Sequence, residues 1–192
     1  MMNLSLDNII QQILPLPQDV LKEVILEFQH LEYPKNYFLL KPGKTCKHLW
    51  FMTNGAVRSF YINEQGKELN TWFSLDIQII TDTTSFVKQE PAHESIQLLE
   101  DSELYAIEYN SIQNLLKKHH VFAQWYIKLV EVHYIAQIED RVDDLQFLDA
   151  KQRYHKLVAL YPNITNRISL GHLSSYLNIT QATLSRIRAG KV

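Results

Sequence analysis

The segment from about residue 169 to 189 holds residues whose types and spacing suit the reading of a nucleic acid. Thr180 is followed by Gln181, Ala182, Thr183, Ser185, Arg186 and Arg188, with Leu184 and Ile187 between them. At 3.6 residues per turn, Leu184 and Ile187 share one side of a helix, and the other residues form its exposed face. An arginine donates two hydrogen bonds to guanine O6 and N7, and a glutamine pairs with adenine N6 and N7. The methyl of Ala182 suits contact with a thymine methyl, and the hydroxyls of Thr180 and Ser185 with the helix N-terminus suit phosphate.

A single helix is not held in place by such a face; a second element has to orient it. Ser169 is a good N-cap for a helix over Leu170–Leu177, and Thr180 for one over Gln181–Ala189. Leu173, Leu177, Ile179, Leu184 and Ile187 supply the apolar seam between two steeply crossing helices. Ser174 is small where they approach, and Asn178 accepts the left-handed geometry of the turn. Together these features predict a helix-turn-helix. The bland alternative is a pair of surface helices with a solvated basic face.

Charge supports the first reading. Residues 151–192 contain Lys151, Arg153, Lys156, Arg167, Arg186, Arg188 and Lys191 and no Asp or Glu, hence +7. The rest of the chain has 12 basic and 21 acidic side chains, hence −9, although the whole carries only −2. An acidic body with a basic tail suits a polyanionic partner. The few residues after the second helix leave no room for a full β-wing, so fewer phosphate contacts are expected.

The body reads as helix over 6–31, broken by Pro15 and Pro17. From 33 to 108, short β-rich stretches alternate with the turn signals Lys41-Pro42-Gly43-Lys44, Thr53-Asn54-Gly55 and Asn63-Glu64-Gln65-Gly66. This predicts an antiparallel β-roll, with Asn54-Gly55 as a hairpin turn. Asn110 is the expected cap of a helix over Ser111–His119. A long helix follows over Val121–Gln146 with two apolar stripes: Phe122, Trp125, Leu129, Val132 and Ala136, then Ile127, Val130, Tyr134, Ile138, Val142 and Leu145. Two stripes need two partners, the roll and a second copy of the chain. Asp149 caps a helix over Ala150–Tyr161, and 162–168 reads as a connector or a short strand. The fold class is therefore α+β, divided as a β-roll over 1–120, a long dimerisation helix and hinge over 121–148, and a helix-turn-helix domain over 149–192.

Other chemistries find little support. Gly-rich phosphate loops and Gly-x-Ser-x-Gly elbows are absent, and the eight histidines include no His-x-His with a carboxylate for a metal-dependent roll enzyme. Neighbouring His119 and His120 point about 100° apart on a helix. We expect no enzyme activity, no metal and no cofactor. The single cysteine, Cys46, excludes an internal disulfide and a four-thiolate cluster. With no apolar run of membrane length and no signal-peptide pattern, a cytoplasmic protein without membrane contact is expected. Tyr33, Tyr37, Phe38, Trp50, Phe51, Phe60, Tyr61, Trp72 and Phe73 read as roll core, or as lining for an apolar pocket.

The order of parts resembles the CRP/FNR regulators, and the compact members common in Bacteroidetes in particular. The resemblance rests on Leu39-Leu40-Lys41-Pro42-Gly43, Asn54-Gly55-Ala56-Val57-Arg58, Gly66-Lys67-Glu68, Ser85-Phe86, and Ser95 through Leu104. Its most specific part is Leu177-Asn178-Ile179-Thr180 with Thr183-Leu184-Ser185-Arg186-Ile187-Arg188. It implies a cyclic-nucleotide-binding-like roll, a homodimer helix, and double-stranded DNA read by the last helix. Gln181 and Arg186 fall where the family reads bases; Ala182 stands where it often has Glu, so the target sequence should differ. The family's phosphate cassette maps onto Thr81-Asp82 and Ala92-His93-Glu94. Asp82, Ala92, His93 and Glu94 are thus effector-pocket candidates. No Arg is expected to face a phosphate and Glu94 would repel it, so weak or no cyclic AMP binding is expected, with any small-molecule effector unknown. The competing function is a ligand- or protein-binding roll whose terminal helices no longer bind DNA.

Overall fold

A computed structural model describes residues 5–76 and 78–191, the side chain of residue 133 excepted. The fold is α+β: an antiparallel roll, a long helix and a terminal helical unit. Two short helices open it, α1 (Leu6–Ile13) and α2 (Gln18–Leu26), parted by the proline-bearing stretch. They bury Leu6, Ile9, Ile10, Val20, Leu21 and Val24. The expected helix over 6–31 stops short of its end. Phe28–Tyr33 is strand β1, because its backbone finds a full antiparallel ladder on β8 (Ser102–Glu108), from Phe28 opposite Ile107 to Tyr33 opposite Ser102. Helical spacing of apolar residues in a short window yields to a ladder that satisfies every second backbone group.

The other strands are β2 (Phe38–Leu40), β3 (His48–Asn54), β4 (Ala56–Ile62), β5 (Glu68–Leu75), β6 (Gln78–Ile80) and β7 (Ser95–Leu98). They form two four-stranded sheets, ordered β1-β8-β3-β6 and β2-β7-β4-β5. Met52, Val57, Ile96, Leu98 and Leu104 are completely or almost completely buried in the roll. Asn54-Gly55 is not a hairpin turn. β3 and β4 belong to different sheets, so the pair makes a corner between them. Gly55 has φ +129°, and a Cβ there would collide with the Ser102 side chain. The corner needs glycine for space as well as for torsion. Of the aromatic cluster, Trp50, Phe51, Phe60 and Phe73 are buried, whereas Tyr37 and Tyr61 are exposed. A short helix unforeseen in the β-rich region, α3 (Thr83–Lys88), sits between β6 and β7, capped by Asp82, whose carboxylate accepts from Ser85 N at 2.9 Å.

Helix α4 (Tyr109–Lys118) begins two residues earlier than expected, with Glu108 rather than Asn110 at its boundary. The long helix runs from His120 to Phe147 as α5 (His120–Val130), one π-helical turn (Glu131–Ile135) and α6 (Ala136–Phe147). At 1.5 Å per residue it is about 42 Å long. Phe122, Trp125 and Leu129 are buried on the roll side, and Trp125 Nε1 donates to Ile10 O at 2.8 Å. Val132 and Ala136, expected in the same stripe, are exposed. The π turn inserts one extra residue, so spacing by three and four no longer tracks one face across it. The exposed apolar residues Ile127, Val132, Ile135, Ile138, Val142 and Leu145 keep 44% to 58% of their surface open, and α6 buries none of its own residues.

Asp149 and Gln152 form a reciprocal capping box at the start of α7 (Ala150–Leu160). The 162–168 segment contains a short helix, α8 (Ile164–Arg167), instead of a strand. Helices α9 (Leu170–Tyr176) and α10 (Gln181–Arg188) close the fold. Tyr154, Leu157, Ile164, Ile168, Leu173, Leu177, Leu184 and Ile187 form a second core, which also includes Ala56, Phe73, Leu75 and Leu99 of the roll. The terminal helices therefore do not stand apart from the roll but share apolar contact with it.

Candidate nucleic-acid interface

Local chemistry sets the geometry of α9 and α10. Ser169 Oγ accepts from His172 N at 3.2 Å, and Thr180 Oγ1 from Thr183 N at 3.1 Å, so both N-termini are capped. Asn178 adopts φ +55° between them, and Ile179 N bonds back to Ser174 O at 3.0 Å. Ser174 is buried where the helices meet, its hydroxyl donating to Gly171 O at 3.0 Å. Leu184 and Ile187 turn inward and are almost fully buried.

The opposite face of α10 is open. Thr180, Gln181, Ala182, Ser185, Arg186 and Arg188 are exposed, and Thr183 is half-buried. The Thr183 hydroxyl lies 2.9 Å from that of Thr180, and the Gln181 side-chain amide lies over Gly171. The seven candidate residues are thus brought together on one surface, with hydrogen-bonding groups at the helix N-terminus and two guanidinium groups beyond it.

The tail's positive charge is less available than its count suggests. Arg167 donates to both Glu100 oxygens, to Asp76 at 2.7 Å and to Gly55 O at 2.8 Å. Lys156 is paired with Asp144 at 2.6 Å. Arg153 donates to the carbonyls of Leu148 and Leu177. Lys151, Arg186, Arg188 and Lys191 remain exposed.

The face of α9 turned away from this surface lies on the roll. Arg58, buried in β4, donates to Gln97, to Glu68 at 2.6 Å and to His172 Nδ1 at 3.1 Å. Ser175 Oγ accepts from Asn70 N at 3.0 Å and donates to Glu68 O at 3.1 Å. Burial holds His172 below the usual imidazole range, and the Arg58 charge adds to this. Sequence reasoning missed this contact. The available signal was Arg58 itself, a charged residue inside an otherwise apolar strand, which has to find partners.

A second feature lies between the roll and α6, a cavity of about 520 Å³. Asp82, Ala92, His93 and Glu94 all line it. Ala92 is buried, and Glu94 accepts from Thr71 Oγ1 at 2.9 Å. Burial pushes the Glu94 carboxyl up, and nearby Asp82 adds to this. Trp72 from the aromatic cluster also lines the cavity, as do Tyr134, Ile138, Arg141 and Val142 of the long helix. An arginine does reach this space, contrary to expectation, because it comes from the long helix and not from the strand region where the cassette maps. Ile138 and Val142 belong both to the cavity wall and to the exposed apolar stripe. The described residues contain no cluster of His, Cys, Asp and Glu able to hold a metal, and no helix long and apolar enough to cross a membrane. Cys46 is buried, with burial pushing its thiol up.

Comparison with known proteins fits this geometry. Residues 30–119 match the cyclic nucleotide-binding domain. The fumarate and nitrate reduction regulatory protein of Yersinia pestis is 25% identical over 167 residues, covering 80% of this chain and 64% of that protein. The Escherichia coli K12 protein of the same name matches to the same extent. The chain thus spans a little under two thirds of the length of these relatives. Among solved structures, the c-di-GMP responsive regulator CLP of Xanthomonas campestris has a TM-score of 0.69 at 15% identity, covering 91% of both chains. FixK2 of Bradyrhizobium japonicum has a TM-score of 0.70 at 15% identity, covering 85% of this chain and 83% of its own. The chain thus contains a cyclic nucleotide-binding domain over residues 30–119, and its fold is that of the solved CRP/FNR-type regulators it resembles.

Proposed function

We propose that this protein is a transcription regulator that binds specific double-stranded DNA as a homodimer. The observation that carries the reading is the outward face of α10, where Gln181, Ala182, Ser185, Arg186 and Arg188 are exposed on a capped helix anchored by Leu184 and Ile187. This is the arrangement that enters a major groove with its N-terminal residues toward the base edges. The regulator names of the sequence relatives support it. The exposed stripe of the long helix supports a second copy as its partner, since an apolar face of this length on a soluble domain needs covering. We assign the roll over 1–120 to sensing, 121–148 to dimerisation and hinge, and 149–192 to DNA binding. The cavity bearing Asp82, Ala92, His93 and Glu94 suits a small-molecule effector other than cyclic AMP.

Fluorescence anisotropy with duplex DNA from the protein's own upstream region tests this. Tight, salt-sensitive binding is expected, and Arg186→Ala should weaken it by about 10- to 100-fold and reduce selectivity over scrambled DNA. Equal, feeble binding by both proteins overturns the DNA-reading role and leaves the roll as the working part.

A further inference from the structure

Arg141 occupies two places at once. It lines the cavity, and it is also the hydrogen-bond partner of the helix that orients α10. Its Nη2 donates to Tyr176 O at 2.7 Å, and its guanidinium lies 3.9 Å from the centre of the Tyr176 ring. Tyr176 is the last residue of α9, whose terminal carbonyls have no partners within the helix. Arg153 holds the next carbonyl, that of Leu177. Tyr176 in turn packs edge-on against Phe73 of β5, with ring centres 5.4 Å apart.

We propose that Arg141 is the group through which the content of the cavity reaches the terminal helices. We further propose that the ligand able to act on it is a small aromatic or aliphatic carboxylate. A guanidinium has five N–H donors in a fixed fork that matches a carboxylate with two parallel bonds. A carboxylate therefore outcompetes a single backbone carbonyl for it. Trp72, Ile79 and Tyr134 give the same space apolar walls for the rest of such a molecule.

The other ionisable groups facing the cavity are Asp82, Glu94 and His93. Asp82 is engaged in capping α3, and Glu94 holds Thr71. They disfavour a phosphate on the roll side and leave Arg141, on the α6 side, as the anion-binding group. Binding there draws the guanidinium off Tyr176, leaves the Tyr176 carbonyl without its side-chain partner while Arg153 still holds that of Leu177, and loosens the helix pair from the roll. The idea deepens the regulator reading, because it supplies a route from effector to reading helix.

Hydrogen exchange of the α9 amides tests the relay without requiring DNA. The full-length protein is titrated with sodium benzoate, beside Arg141→Met and Arg141→Lys. In wild type, α9 exchange should accelerate as benzoate rises. In Arg141→Met it should be about tenfold faster at the outset and no longer respond. Arg141→Lys keeps the charge but not the fork, so it should fall between the two, and it replaces the methionine variant if that one does not fold. Slow α9 exchange in the substituted proteins, or an α9 that ignores benzoate in wild type, overturns the relay. A relay that responds in a protein without DNA affinity would sink the regulator reading while leaving this one intact.

Discussion

Arg167 and Glu100 form a two-point ion pair across the junction of the roll and the terminal helices. Arg167 Nε lies 3.0 Å from one Glu100 oxygen, and Nη2 lies 2.6 Å from the other. The same guanidinium reaches Asp76 and the carbonyl of Gly55. One side chain of α8 thus gathers the β5–β6 turn, the β7–β8 turn and the corner between the sheets. Glu100 and Arg167 are both partly exposed, which limits what the pair contributes.

Arg167→Ala removes all these bonds at once and leaves two carboxylates facing each other. We expect a loss of about 2 kcal/mol, after discounting the charge-assisted bonds for solvent screening. Urea unfolding followed by a probe in α7–α10 and by another in the roll should give two separate transitions in place of one. A single transition at the wild-type midpoint would show that the apolar contact alone joins the two parts.

Acid should loosen the same junction through His172. Its Nδ1 accepts from Arg58, which requires the ring to be neutral, and burial together with the Arg58 charge holds its pKa below that of a free imidazole. A group depressed on folding contributes stability that is fully present above its unfolded pKa and lost as pH falls through the folded value. The melting temperature should therefore drop as pH falls from about 6.5 toward 5, and less steeply in His172→Gln, which keeps an acceptor without a titration. His48, depressed mainly by burial, titrates in the same direction in both proteins, so the difference between the curves isolates His172. Parallel curves would remove His172 from the account.

Ile135 and Leu145 lie on the open stripe but outside the cavity wall. Ile135→Asp with Leu145→Asp should yield a folded monomer in sedimentation equilibrium. Its affinity for a two-half-site DNA should be lower by about 100-fold, the typical gain from linking two binding events. A double variant that remains dimeric would move the interface elsewhere.

Calorimetry with cyclic AMP should show no saturable binding at micromolar ligand. Glu94 and Asp82 face the cavity, and its arginine is engaged by Tyr176. Micromolar affinity would mean that Arg141 turns inward on its own, with a phosphate as the group that captures it.

The parts legible from sequence are those governed by neighbours in the chain. Ser169 and Thr180 as caps, Asn178 in the left-handed turn and the inward Leu184 and Ile187 depend on residues within one or two helical turns, and the structure has each of them in place. The stretch from Phe28 to Leu31 fell inside the helix read over 6–31, and a partner strand more than seventy residues away overrode that reading. Asn54-Gly55 marked the break between two strands, but the hairpin expected there is a corner where the chain passes from one sheet to the other. The Arg58–His172 and Arg141–Tyr176 contacts join residues 114 and 35 positions apart, and nothing in the local pattern of either arginine names its partner. Asp82 and Glu94 were found through the cassette resemblance, whereas the helix that completes their cavity carried no such motif.

The π turn at Glu131–Ile135 works as an angular spacer. One residue more than a regular helix requires rotates everything beyond it by about 100° around the helix axis. Deleting a single residue there would swing Ile138, Arg141 and Val142 off their present bearings toward the cavity. The winding of this one turn therefore sets which side of α6 faces the cavity and which side stays open.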